Sequence, residues 1–131
     1  MKTIANILAI AAVALMLSGC ITLRPPPALG AGDWVLARWQ PEDPYHYPAI
    51  VTERVGDDLS LQYDDGDVGV QHVRNARRFD WRAGTRPECR SAGTGFRSAI
   101  ITELASNRID IDIRYDDGVV ESTTTAACRD R

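Results

Sequence analysis

Three cysteines, two histidines and scattered serines and carboxylates are the residues of this chain whose types could do chemistry. A metal site needs clustered ligands at fixed spacing. His46, His72, Cys89 and Cys128 have no such spacing, so no metal is expected. A serine nucleophile needs a strained turn and a positioned base. Ser91, Ser98 and Ser122 sit in no Gly-x-Ser-x-Gly turn, and both histidines stand alone. His46, between Tyr45 and Tyr47, reads as an exposed loop histidine. The densest acids are in Tyr-Asp-Asp-Gly, at 63–66 and again at 115–118. Neither copy has the Asp-x-Asp-x-Asp-Gly spacing of a calcium loop, so these acids read as turn formers. The expectation is a non-enzymatic protein without cofactor or metal, and the chemistry left is binding.

The N-terminus supplies a different chemistry. Lys2 is followed by an uncharged apolar run from Ile4 to Leu17 and then by small residues. That run is shorter than the ~20 residues a bilayer span needs, so it reads as a secretory signal. Leu17-Ser18-Gly19-Cys20 resembles a bacterial lipobox. The resemblance implies cleavage before Cys20 and acylation of its thiol; the alternative is an ordinary signal with Cys20 incidental. An acylated Cys20 would tie the protein to a membrane without spanning it. Ile21 follows, with no Asp to retain the protein at an inner membrane. The expected location is the cell envelope, on the outer membrane facing the periplasm.

Lys2 is the only lysine. Removing residues 1–19 therefore leaves 14 Arg against 18 Asp and Glu, a net charge of −4. This disfavours nucleic acid as a partner, because phosphate backbones need clustered positive charge. Arg74, Arg77 and Arg78 form the densest basic group and read as a solvated turn. Residues 20–32 read as the lipidated cysteine plus a tether: Pro25–Pro27 favour stiff polyproline II, and the glycines after them loosen it.

The repeated tetrapeptide belongs to a longer repeat. Under a shift of 52 residues, Leu59, Leu61 and Tyr63 fall on Ile111, Ile113 and Tyr115, and Gly32 falls on Gly84. With a two-residue gap, Ala49–Glu53 falls on Ala99–Glu103. This is a tandem duplication, with halves at 33–80 and 81–131. Each half reads as short strands. Residues 33–39, 47–55, 58–63 and 67–73 are expected strands in the first half, with a tight turn at Asp65-Gly66. In the second half, 108–115 alternates most clearly, with Ile109, Ile111, Ile113 and Tyr115 inward and Asp110, Asp112 and Arg114 outward. No mature segment has a helical period. The fold expected is all-β, two small closed barrels in tandem.

With Cys20 assigned to lipid, Cys89 and Cys128 remain, an even count in an oxidising compartment. The shift places them on Ala37 and Ala76. If those positions touch in each half, two alanines pack in one and a disulfide joins the other.

The stretch Val35–Gly66 resembles a Tudor domain of the tandem type found in chromatin readers. It carries Val-x-Ala-x-Trp, then aromatic-x-aromatic before the second strand, then aromatic-Asp-Asp-Gly after the third. The likeness covers about 33–77 and more weakly 84–128. It implies five-stranded SH3-like barrels and an aromatic cage for a methylated ammonium. Carried over, the cage would be Trp39, Tyr45 or Tyr47, and Tyr63, with Asp65 at its rim. Ring faces attract such a diffuse cation and a carboxylate pairs with its charge; the alternative is that these rings only cover the core. The second half departs from the pattern, since Trp39 maps to Ser91 and His46-Tyr47 to Phe96-Arg97. An arginine there repels cations, so the second half is expected to be a structural partner. The partner expected is a peptide or protein bearing a methylated cation. The other reading is a purely structural envelope lipoprotein that docks on a protein by an exposed edge strand.

Overall fold

A computed structural model describes residue 25 and residues 27–131. Cys20 and the signal segment lie outside the described residues. Ten strands form two five-stranded antiparallel sheets, one per repeat. The first holds β1 (Trp34–Ala37), β2 (Tyr47–Val55), β3 (Asp58–Tyr63), β4 (Val68–His72) and β5 (Ala76–Arg78), in the order β4-β3-β2-β1-β5. The second holds β6 (Glu88–Cys89), β7 (Arg97–Leu104), β8 (Asp110–Tyr115), β9 (Val120–Thr124) and β10 (Cys128–Arg129), in the order β10-β6-β7-β8-β9. A single 3-10 turn precedes the last strand of each, at Val73–Asn75 and Thr125–Ala127.

The duplication extends to individual hydrogen bonds. Gly32 N–H donates to the Val51 carbonyl and Gly84 N–H to the Ile101 carbonyl, both at 2.8 Å. The β2–β3 register slips between Val51 and Glu53, and the β7–β8 register between Ile101 and Glu103. A bulge at a fixed place bends each sheet in the same way. The inward residues match as the alternation requires. Leu59, Leu61 and Tyr63 are buried in one half and Ile111, Ile113 and Tyr115 in the other, while Ile109 is only half-buried.

The cysteine expectation holds. Ala37 pairs with Ala76 across β1 and β5, and Cys89 pairs with Cys128 across β6 and β10. The two cysteines form a disulfide. Both sites face a core.

The turns are also alike. Gly66 N–H donates to the Tyr63 carbonyl and Gly118 N–H to the Tyr115 carbonyl, each at 2.9 Å. Only the glycines take positive φ, +94° at Gly66 and +89° at Gly118; the aspartates before them do not. A Cβ added at either glycine would touch nothing within 4 Å, so the demand is purely conformational. Gly66→Val and Gly118→Val should each destabilise the protein by about 1–3 kcal/mol in denaturant melts. Gly66→Asn should recover part of that loss, because asparagine tolerates the left-handed region. Equal stability of the Val and Asn variants would contradict this account.

Two local readings are corrected. Arg77 and Arg78 lie on β5 rather than in a solvated turn, and Arg77 pairs with Asp130 at 2.7 Å and Asp80 at 2.9 Å. His46 is half-buried, not exposed. Its main chain pairs with Asp130, at 2.6 Å and 3.0 Å, and burial, with Arg77 nearby, lowers its pKa.

That pairing joins the repeats. Leu36, on the opposite face of β1 from Val35 and Ala37, is wholly buried among Trp81 and the second core. Trp81 donates its indole N–H to Asp130 at 2.7 Å. Thr125 of the second repeat donates its hydroxyl to Asp64 of the first turn. Burial pushes the Asp64 carboxyl up, against the pull of the Thr125 bond. Asp116, the counterpart of Asp64, is exposed and only 4.0 Å from Arg86.

Candidate functional site

Strand ends of the first repeat bring aromatic rings together beside the junction. Strand β1 stops at Ala37, so Trp39 lies in the following turn rather than at the strand end. Its backbone is nevertheless fixed. Gln71, 6% exposed, donates its side-chain N–H to the Trp39 carbonyl at 2.8 Å and accepts from Asn75 at 3.3 Å. Tyr63 ends β3 and donates its hydroxyl to the Arg38 carbonyl. The Trp39 and Tyr63 rings meet edge to face, 5.1 Å apart at 71°. They therefore form two walls and do not lie flat on each other.

Gly69 on β4 faces both rings. A Cβ there would lie 3.6 Å from the Tyr63 ring and 3.9 Å from Trp39, so a larger side chain would compete with the indole. In the second repeat the Gly69 position is Glu121 and the Trp39 position is Ser91. There Ser91 donates to Glu121 at 2.7 Å, and the Tyr115 hydroxyl donates to the same carboxylate at 3.1 Å. Trp39 with Gly69 and Ser91 with Glu121 are two ways to cover the same tyrosine.

A cavity of about 210 Å³ is lined by Trp39, Tyr47, Tyr63, Asp65, Asp67, Arg90 and Phe96. Of the two tyrosines, Tyr47 lines this cavity. Tyr45 does not line this cavity. Its ring lies under the Arg129 guanidinium, 3.6 Å from the ring centre, and its hydroxyl accepts from Arg131 at 3.2 Å. Arg129 also lies over Phe96 at 3.9 Å, donates to the Tyr47 hydroxyl at 3.4 Å and stands 3.6 Å from Glu88. Tyr45 is therefore engaged by Arg129 and Arg131.

Arg90 and Phe96 come from the loop between β6 and β7 of the second repeat. Neither was identifiable from the sequence, because only the docking of the repeats turns that loop toward Trp39. The second repeat contributes residues to the first repeat's pocket as well as support.

The second repeat carries its own cation at the place corresponding to Tyr63 and Asp65. Arg97, at the Tyr47 position, lies 3.7 Å over the Tyr115 ring and donates to Asp117 Oδ2 at 2.6 Å. Asp117 Oδ1 accepts the Val119 N–H at 3.0 Å. That amide and the Arg97 guanidinium hold the Asp117 carboxyl below the usual carboxylate range. Asp65 repeats the first half of this pattern: its Oδ1 accepts the Asp67 N–H at 2.9 Å. Among the described residues no arginine or histidine pairs with Asp65. Comparison with protein-family models and with curated proteins gives no match.

Proposed function

We propose that the protein is a non-enzymatic envelope lipoprotein, anchored through Cys20, whose first repeat binds a methylated or quaternary cationic group on a peptide or other carrier. One observation carries this reading: the second repeat seats Arg97 on Tyr115 and Asp117, while among the described residues no arginine stacks on the equivalent Tyr63 or pairs with the equivalent Asp65. Trp39 and Tyr47 replace Ser91 and Arg97 around that position. Aromatic faces suit a cation that has lost its hydrogen-bond donors to methylation, and Asp65 supplies the opposite charge.

Trimethyllysine, dimethylarginine and choline should bind weakly, at roughly millimolar Kd for a bare headgroup. The titration is best followed by NMR, since Trp39→Ala would remove a fluorescent reporter. Trp39→Ala should weaken binding by about tenfold or more, the loss of one ring face. Asp65→Ala should weaken it as well, while Asp117→Ala should leave it unchanged. Equal loss from Asp65→Ala and Asp117→Ala would reject the cage.

A second reading rests on a different feature. Val68 and Val70, on edge strand β4, are 72% and 62% exposed, and Val120, on edge strand β9, is 72% exposed. An edge with exposed valines is suited to pairing with a strand of a protein partner. No response to any cation leaves this structural docking role in place.

A further inference from the structure

The cavity that would take the cation carries both signs of charge. Asp65 and Asp67 come from the first turn, and Arg90 from the second repeat. A simple cation would meet a guanidinium there, and a simple anion would meet two carboxylates. We infer that the ligand is a compact zwitterion, a quaternary or methylated ammonium joined to a phosphate or carboxylate, with Arg90 as the partner of its anionic group. This rests on the cation-binding reading above and narrows the ligand class.

Arg90 is placed for that task. It follows Cys89, which is tied to Cys128, and its N–H donates to the Ala127 carbonyl at 3.0 Å. Its main chain is therefore held at both the bridge and the strand end. Its exposed guanidinium lies 4.9 Å from the centre of the Phe96 ring. Arg97 and Arg129, by contrast, are engaged by Asp117 and Glu88. Among the described residues no carboxylate lies within 4.0 Å of Arg90 and no side-chain hydrogen bond engages it. The charge opposite Asp65 and Asp67 thus has no carboxylate partner among the described residues and rests only against the Phe96 ring. Size agrees with a headgroup, because about 210 Å³ is below the ~300–1,000 Å³ typical of drug-sized sites.

The test compares choline, phosphocholine, glycine betaine and inorganic phosphate on the full-length protein in maltoside micelles, by calorimetry or NMR. Phosphocholine and betaine should bind roughly fivefold tighter than choline, as one exposed ion pair allows. Phosphate alone should bind worst. Arg90→Gln should erase the advantage of the zwitterions while leaving choline as tight or tighter, and Arg90→Lys should keep most of it. Equal affinity for choline and phosphocholine in the natural protein, or an advantage surviving in Arg90→Gln, overturns the zwitterion while the cation site stands. Phosphate binding as tightly as phosphocholine also overturns it. No binding of any compound removes both readings. Short-chain phosphatidylcholine below its micelle concentration separates the sources. If it binds like phosphocholine, the headgroup of a lipid fits; if its glycerol ester blocks entry, the ligand is a free solute. Either result keeps the zwitterion.

Discussion

Replacing Cys89 and Cys128 together by alanine should lower stability by about 4 kcal/mol, the chain-entropy value for a loop of this length. The bridge spans 39 residues of sequence, nearly the whole second repeat. Alanine is the right replacement because the protein already uses it: Ala37 and Ala76 occupy the same two positions in the first repeat. The freer unfolded chain should account for most of the loss, with a smaller cavity term from the two buried sulfurs removed. Cys89 and Cys128 are 0% and 1% exposed, so serines there would add the cost of buried hydroxyls. A small domain is stable by only about 5–15 kcal/mol, so 4 kcal/mol is a large share. The denaturant midpoint of the double variant should fall, with a steeper m-value as its unfolded state opens. Reducing agent should have a similar effect on the natural protein and none on the variant. A change below 1 kcal/mol would show that the bridge follows the fold without securing it.

Trp81→Ala should be as damaging, at about 3–5 kcal/mol, the usual range for deleting a buried large aromatic. Trp81 is 4% exposed and packs with Leu36 of the first repeat and the core of the second. Its indole N–H shares Asp130 with Arg77, each at 2.7 Å. Trp81→Phe should cost less, about 1–3 kcal/mol, since the ring is largely kept and one hydrogen bond to a carboxylate is lost. Asp130→Ala should fall in a similar range by leaving the indole N–H and Arg77 without their acceptor. If Trp81→Ala costs no more than Trp81→Phe, the indole contributes only its hydrogen bond and the packing account fails.

The strands were legible because their pattern is local. Residues 47–55 and 58–63 are strands with the expected bounds, and Leu59, Leu61 and Tyr63 face inward as their alternation requires. A period of two fixes which side chains share a face, and the second copy shows the same pattern independently. The Cys89–Cys128 pairing followed from the cysteine count once Cys20 is assigned to lipid, and the repeat alignment placed the two on Ala37 and Ala76.

The junction and the pocket were not legible in this way. Alternation places Leu36 on the opposite face from Val35 and Ala37, but it cannot say that Trp81 covers that face. Trp39 looked like a strand end and lies one turn beyond it, where Gln71 fixes its backbone and Gly69 leaves it room. Tyr45 and Tyr47 are equivalent by spacing, yet Arg129 stacks on Tyr45 and donates to the Tyr47 hydroxyl, and only Tyr47 lines the cavity. Arg90 and Phe96 join the pocket across more than twenty intervening residues of chain from Tyr63. Long side chains reach across a docked surface, and their partners depend on how two folded repeats meet. The sequence by itself determined the strands and the repeat, which depend on local periodicity and on a duplicated pattern, and the disulfide, which followed from a count of two remaining cysteines. The tertiary structure alone decided which aromatic rings hold the chain's own arginines and which line a cavity, because that depends on distances between parts of the chain that no local pattern relates.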